Sequence, residues 1–234
     1  MSTKKLFILA NSIKKHHRCI AGREVVKSPD GNEYWAGWVR PVTRHDEGAI
    51  YQSEYLLQDS SIPAPFDVIE IPFSGIENSS TQPENWFILQ GAQWSKISRW
   101  SSAEAQLLIE TPKNLWLQPG VKQDRVTPQY LLSQESHQSL YLIKPVDFRL
   151  FIEVSTNWEG IEKKKRRGVF CYNRQWYNFS MTDPLISQKY FPTFPNHPSG
   201  TLELERKDDL IICVSLTPEL KGYHYKILAS IIEL

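Results

Sequence analysis

The sequence predicts a mainly β protein, a barrel or sandwich with a few short helices, and three observations carry that prediction. Apolar and β-branched stretches recur at intervals of about ten residues, with turn residues between them, which is the rhythm of an all-β domain. Helical signals are few and short. Neither GxGxxG nor GxxxxGK[ST] occurs in the 234 residues, so the phosphate-cradling turns typical of parallel α/β sheets are missing.

Taken in order, Lys5 to Ala10 is a short apolar strand that stops at Asn11-Ser12. Pro29-Asp30-Gly31-Asn32 is a turn in which Gly or Asn supplies positive φ, and it introduces an aromatic, β-branched strand from Tyr34 to Val42. Asp67 to Phe73 alternates, and Pro72 marks an edge or strand end. Ser101 and Glu104 form a capping box ahead of Ala105 to Ile109. Thr127-Pro128 opens a helix through Leu132, with proline at its first position. Leu140 to Ile143 and Phe148 to Val154 are strands, the second placing Phe148, Leu150, Ile152 and Val154 on one face. Val169 to Tyr172 and Trp176 to Met181 flank Asn173-Arg174-Gln175 as a hairpin. Asp183-Pro184 opens a helix from Leu185 to Tyr190, and strands at Leu210 to Leu216 and Tyr223 to Ile232 close the chain. Val39-Arg40-Pro41-Val42 is echoed by Ile143-Lys144-Pro145-Val146, which suggests two like halves.

Composition bounds the function classes. With 41% hydrophobic residues the chain can bury a core, and 27 Lys+Arg against 26 Asp+Glu exclude a histone-like polycation. The charge is segregated: Met1 to Arg44 balances to +6, His45 to Pro112 to −8, and the remainder to +3. Such a chain can present a positive surface without a high net charge. Three cysteines at unrelated spacings (Cys19, Cys171, Cys213) do not make a disulfide framework and read as reduced thiols. No apolar run approaches the ~20 residues that span a bilayer, and the five apolar residues after Lys5 are too few for a signal-peptide core. The expectation is a soluble, cytoplasmic protein with no membrane partner.

Four constellations could carry chemistry. In Asn11-Ser12-Ile13-Lys14-Lys15-His16-His17-Arg18-Cys19, short polar groups stand beside phosphate-matching cations. The spacing of His16, His17 and Cys19 does not suit zinc, so no metal is expected, and Cys19 reads as a structural cysteine. In Tyr34-Trp35-Ala36-Gly37-Trp38-Val39-Arg40, only one face can line a barrel, so at least one tryptophan is expected at the surface. An exposed ring beside Arg40 is what base stacking needs; a core aromatic is the alternative. Lys163-Lys164-Lys165-Arg166-Arg167 cannot be buried together and is expected on a loop or extended strand end, as a phosphate-backbone contact or a solvated tip. Thr182-Asp183-Pro184 and Gly222-Tyr223-His224-Tyr225-Lys226 place polar and aromatic groups near two strand ends, with a helix cap as the alternative role of Asp183. No Ser-His-Asp order, paired carboxylates or HExxH occurs, so nothing demands catalysis or a cofactor.

The ordered series Leu9-Ala10-Asn11-Ser12, Arg18-Cys19-Ile20-Ala21-Gly22, Trp38-Val39-Arg40-Pro41-Val42, Asp67-Val68-Ile69-Glu70-Ile71-Pro72, Gln82-Pro83-Glu84-Asn85-Trp86, Leu140 to Pro145, Thr182-Asp183-Pro184 and Cys213 to Leu216 resembles the prokaryotic dual OB-containing domain family over essentially the whole chain. The resemblance implies two OB-like barrels, a place in bacterial defence or mobile-element systems, and a role in binding nucleic acid or nucleotides. The corresponding boundaries are a first barrel at 1–75, a mixed helical insert at 76–138 and a second barrel at 139–234.

The resulting expectation is a non-catalytic module holding single-stranded nucleic acid or a nucleotide. Lys14, Arg18, Arg40 and Lys226 would meet phosphates, together with Lys163, Lys164, Lys165, Arg166 and Arg167. Trp38 or Trp35 would stack with Tyr223 on bases, and Asn11, Ser12 and Asp183 would bond to base edges or sugars. A defence-system nuclease or helicase is the expected protein partner. One alternative is a protein-interaction adaptor using Trp86, Trp94 and Trp100; another is a nucleotide-processing enzyme using Cys19 or Asp183.

Overall fold

The structure, a computed structural model, describes residues 1–14, 17–134, 138–156, 159–196, 200–202 and 209–234. It divides into two compact units. Unit 1 holds Met1–Leu108 with Gln138–Leu140, and unit 2 holds Ile109–His137 with Tyr141–Leu234.

Unit 1 is built from β1 (Ser2–Lys14), β2 (His17–Lys27), β3 (Glu33–Val42), α1 (Gln52–Tyr55), β4 (Asp67–Ile76), β5 (Asn85–Ile88), β6 (Ser95–Arg99) and α2 (Ser102–Gln106). The hydrogen-bonded order β1-β2-β3-β5-β4 is closed by antiparallel pairing of β1 with β4, which makes a five-stranded barrel. β3 and β5 run parallel, and β6 adds to the free edge of β4. Period-2 alternation sends Leu6, Ile8, Ile20, Val39, Ile69, Ile71 and Phe73 inward around Trp94, each buried aliphatic side chain contributing roughly 1.5–3 kcal/mol. Outside the barrel, Phe7 is covered by rings of Trp35, Phe66 and Trp100 with centroids 5.2–6.2 Å away.

Pro72 is not at a strand end, and the edge it occupies is a local one. It lies inside β4, in the gap after β6 has paired with residues 67–70 and before β5 pairs from Phe73 onward. On that edge no ladder bond needs its missing N–H.

Unit 2 contains β7 (Arg125–Val126), α3 (Pro128–Leu132), β8 (Leu140–Ile143), β9 (Val146–Thr156), β10 (Glu162–Tyr172), β11 (Gln175–Met181), α4 (Pro184–Tyr190), β12 (Gly200–Leu202), β13 (Leu210–Leu216) and β14 (His224–Glu233). Its sheet runs β12-β9-β10-β11-β14-β13-β8, with β7 beside the start of β14. Within it β9-β10-β11-β14-β13 repeats the order of β1-β2-β3-β5-β4, and the parallel pair β11–β14 repeats β3–β5. The two OB-like halves are therefore present as strand order. The short sequence echo does not mark them: Val39 to Val42 ends β3, whereas Ile143 to Val146 joins β8 to β9.

The boundaries also differ from expectation. Residues 76–108 complete unit 1, because β5 supplies the parallel partner of β3, and residues 109–134 bring β7 and α3 to unit 2. Among the described residues the expected 76–138 insert is divided between the two units. The basic run takes the second of its two expected places, a strand end and not a loop. Lys163 to Arg167 lie within β10, paired residue by residue with β9 from Lys163↔Ser155 to Arg167↔Phe151.

Candidate functional site

In unit 1 the polar residues expected at a ligand turn inward. Asn11 Nδ2 donates to the Pro63 carbonyl, its Oδ1 accepts from Arg18 Nη1 at 3.4 Å, and Ser12 Oγ donates to the Cys19 carbonyl at 3.3 Å. These bonds fix the β1–β2 hairpin, so the expected contacts of Asn11 and Ser12 to base edges are replaced by structural ones. The Lys14 backbone sits opposite His17 at the end of β1; its side chain, like His16, lies outside the described residues.

Arg40 is 3% exposed. Its Nη1 donates to Asn85 Oδ1 and its Nη2 to Ser139 Oγ, both at 2.9 Å. Ser139 Oγ in turn donates to Glu84 Oε2 at 2.7 Å, and the Ser139 N–H to Glu84 Oε1 at 2.6 Å. A buried guanidinium needs such acceptors, and this network rather than a phosphate provides them. Trp38 is 6% exposed beneath the Arg23 guanidinium, 5.7 Å from its ring, so it is not a stacking platform. Trp35 packs on Phe7 and edge-on to Trp100 at 4.9 Å. The adaptor surface meets the same fate: Trp94 is fully buried, Trp86 packs on Phe73 and Lys4, and Trp100 belongs to the Phe7 cluster.

In unit 2 Asp183 is the N-cap of α4. Its Oδ1 accepts from the N–H groups of Leu185 and Ile186, and its Oδ2 from Ile231 N at 2.8 Å, which corrects the expected ligand or catalytic role. Lys226 is 1% exposed on the inner face of β14. Its Nζ has no hydrogen-bond partner among the described residues, and burial pushes its pKa down to about 7 although Asp124 pulls the other way.

Strand alternation sorts the five cations of β10. Arg166 points to one side, donating to Ser187 Oγ with the Phe194 ring centroid 4.5 Å away, and Lys164 shares that side. Lys163, Lys165 and Arg167 share the other. Arg167 is held flat, Nε to Asn178 Oδ1 at 2.8 Å, Nη1 to Ser180 Oγ and Nη2 to Asn178 O at 2.9 Å, with Glu153 3.7 Å away. The two arginines thus brace the sheet, while Lys163 and Lys165 remain exposed.

The outer face of β9–β10–β11 can be read from its register. Arg149 pairs with Val169, Phe151 with Arg167, Glu153 with Lys165 and Ser155 with Lys163, and across β10 Cys171 pairs with Trp176. Arg149 is exposed, Phe151 half-buried, and Trp176 46% exposed. Towards β7 and β14, the Arg125 guanidinium lies 5.5 Å from the Tyr223 ring and 5.0 Å from Tyr225, and its Nε bonds Asp124 at 2.8 Å. Burial opposes ionisation of Asp124. The hydrogen bond and charge of Arg125, with Arg167 and Lys122, nonetheless hold its carboxyl below the ordinary value. Of the expected residues, Lys163, Lys165 and Tyr223 belong to this face. The sequence reading did not single out Arg149, Arg125 or Trp176, which also lie on this face; for Arg149 the alternation Arg149-Phe151-Glu153 opposite an apolar inner row was the available signal.

The face therefore offers separated cations, one exposed ring in Trp176, partly exposed tyrosines beside Arg125, and amide and hydroxyl groups. Among the described residues no three His, Cys, Asp or Glu side chains gather as a metal site, and no helix is long and apolar enough to cross a membrane.

The profile of the dual OB-containing domain family matches residues 4–231. No curated protein matches. Among solved structures the chain is similar to the p204 HINb domain (13% identity, TM-score 0.34, 97% of this chain and 96% of that one). It is also similar to a murine DNA-binding protein bound with double-stranded DNA (7% identity, TM-score 0.34, 100% of both chains). A third is a deletion mutant of the single-stranded DNA-binding protein from Thermus aquaticus (6% identity, TM-score 0.21, 99% of this chain and 92% of that one).

Proposed function

The chain belongs to the dual OB-containing domain family, and on that premise we propose that it is a non-catalytic module that binds single-stranded nucleic acid on the outer face of β9–β11. OB-folds take oligonucleotides on the face of their second and third strands, which in unit 2 are β10 and β11. Lys163, Lys165 and Arg149 meet phosphates. Trp176 and the Arg125-backed Tyr223 stack on bases, each stacked base contributing about 1–3 kcal/mol without demanding a sequence. Arg167 holds β10 and β11 in register rather than touching the ligand.

The single observation that carries this reading is that β10 sets Lys163 and Lys165 on the same face as the exposed Trp176 of its neighbour. The corresponding face of unit 1 is closed by its own Trp35 and Trp100. The finer assignment is an accessory or sensor in a prokaryotic defence or mobile-element system, cytoplasmic and working with a nuclease or helicase. It follows from the family resemblance and is tested by gene neighbourhood and co-purification.

The direct test is fluorescence anisotropy with labelled oligothymidylate and oligouridylate at ~50 mM salt. Wild type binds. The Lys163→Ala/Lys165→Ala pair weakens binding and flattens the slope of log affinity against log salt by about two, and Trp176→Ala weakens binding with the slope unchanged. Absence of wild-type binding to both oligomers sinks the proposal.

A further inference from the structure

A cavity of about 610 Å³ opens in unit 1, well away in sequence from the face just described. It is lined by residues from His45 to Ser60 on one wall and Ile88 to Gln93 on the other. Its size falls within the roughly 300–1,000 Å³ of sites that take small organic ligands.

Three features define what could fit. First, the cavity has a ready-made ring stack. His45 lies nearly parallel to Tyr51, centroids 4.1 Å apart at 13°, and His17 stands against the same tyrosine at 4.3 Å. His45 is held in that pose, its Nε2 3.0 Å from Glu54 Oε1, while Glu54 Oε2 accepts the Tyr51 N–H at 2.9 Å. Second, the floor is apolar, from Leu57 and Ile88. Third, the rim carries the side-chain amides of Gln58, Gln90 and Gln93, all exposed and none hydrogen-bonded among the described residues. Each amide offers one acceptor and two donor hydrogens.

The charges decide between ligand classes. Among the described residues no lysine or arginine lines the cavity, and the one carboxylate lining it, Glu54, is already engaged by His45 and the Tyr51 backbone. A phosphate or carboxylate would meet no counter-charge among these lining residues, and a cation would find Glu54 occupied. A flat, neutral heterocycle that lies on the His45–Tyr51 stack and pairs its edge with glutamine amides meets every requirement. Glutamine matches the adjacent donor and acceptor of a base edge bidentately.

We infer that this cavity is a binding site for a single unstacked nucleobase, recognised by ring stacking and amide hydrogen bonds and not by its phosphate. The inference does not rest on the β9–β11 face, because a free nucleoside has no charged backbone to engage Lys163 or Lys165.

The test titrates the full-length protein with adenosine, guanosine, cytidine and uridine, following the imidazole and glutamine amide signals by NMR. At least one nucleoside is expected to shift His45 saturably in the millimolar range or tighter, with its 5′-monophosphate binding within about twofold. Tyr51→Leu is expected to weaken binding at least fivefold. So is the Gln90→Leu/Gln93→Leu pair, whose exposed positions leave folding intact should Tyr51→Leu unfold the barrel. No saturable shift with any nucleoside overturns the inference. So does equal binding by ribose 5-phosphate, or binding that survives the glutamine pair unchanged. Oligonucleotide binding that keeps its salt dependence while nucleosides fail would remove this site alone.

Discussion

Gly22 and Gly168 occupy the same position in their two sheets. Gly22 lies between Ile8 of β1 and Val39 of β3, and Gly168 between Leu150 of β9 and Phe179 of β11. A Cβ on Gly22 would stand 2.3 Å from the Phe7 carbonyl oxygen, and one on Gly168 2.3 Å from Leu228 Cδ1. The second strand of each half runs so close to its neighbour or to the core that a side chain at this position makes something move, the backbone of Phe7 at Gly22 and the tip of Leu228 at Gly168. Gly22→Ala, which meets backbone, is expected to destabilise by about 2–4 kcal/mol; Gly168→Ala, which meets a side-chain tip, by about 1–3 kcal/mol. Urea unfolding midpoints check both, and a neutral Gly22→Ala would deny the close approach.

Arg40 should matter for stability and not for ligand. Arg40→Met removes donors from Asn85 and Ser139 and leaves the Glu84 carboxylate buried in a weakened network, at a cost of about 2–4 kcal/mol. The folded variant is expected to bind oligonucleotide as wild type does. A loss of affinity without a loss of stability would return Arg40 to the ligand site.

Lys226 makes stability depend on pH. Its folded pKa of about 7 lies below the roughly 10.4 of an unfolded lysine. Between these values the unfolded chain binds a proton that the folded chain lacks, so stability rises with pH through that window. Below pH 7 both states are charged and the cost of burying the ammonium is present in full. Lys226→Met is expected to stabilise most at pH 6, by on the order of 4 kcal/mol, with the gain shrinking towards pH 10. Denaturant unfolding at pH 6, 8 and 10 reads this directly; a gain that ignores pH would refute it.

The alternation along β10 separates neighbouring lysines. Side chains on one face repeat about every 6.8 Å, so Lys165→Ala is expected to lower oligonucleotide affinity and reduce the salt slope by about one, while Lys164→Ala does so much less. Equal effects at 164 and 165 would mean the run acts as a loose charge cloud.

Much of the fold was legible locally. Strands at Leu140–Ile143 and Leu210–Leu216 and the helix at Pro128–Leu132 match the sequence limits, because caps and apolar runs are decided within a few residues. The Ser101–Glu104 capping box forms as written. Strand extension was not legible: β10 begins at Glu162, since pairing with β9 outweighs the repulsion of consecutive cations once they alternate between faces. The site was the least legible part. Arg40, Asp183 and Lys226 look like ligand groups in one dimension. Whether a polar side chain faces water or a buried acceptor is set by partners distant in sequence, here Ser139, Ile231 and the interior of the second sheet.

The Arg40–Ser139–Glu84 connection also bears on how the protein can be cut. Unit 1 draws its central hydroxyl from residue 139, so a fragment stopping at 108 would keep the Arg40–Asn85 bond but lose the hydroxyl and N–H of Ser139 that join the guanidinium to the Glu84 carboxylate. Anyone dividing the molecule for separate expression should carry the amino-terminal piece past residue 140, or graft the 138–140 tripeptide back onto it.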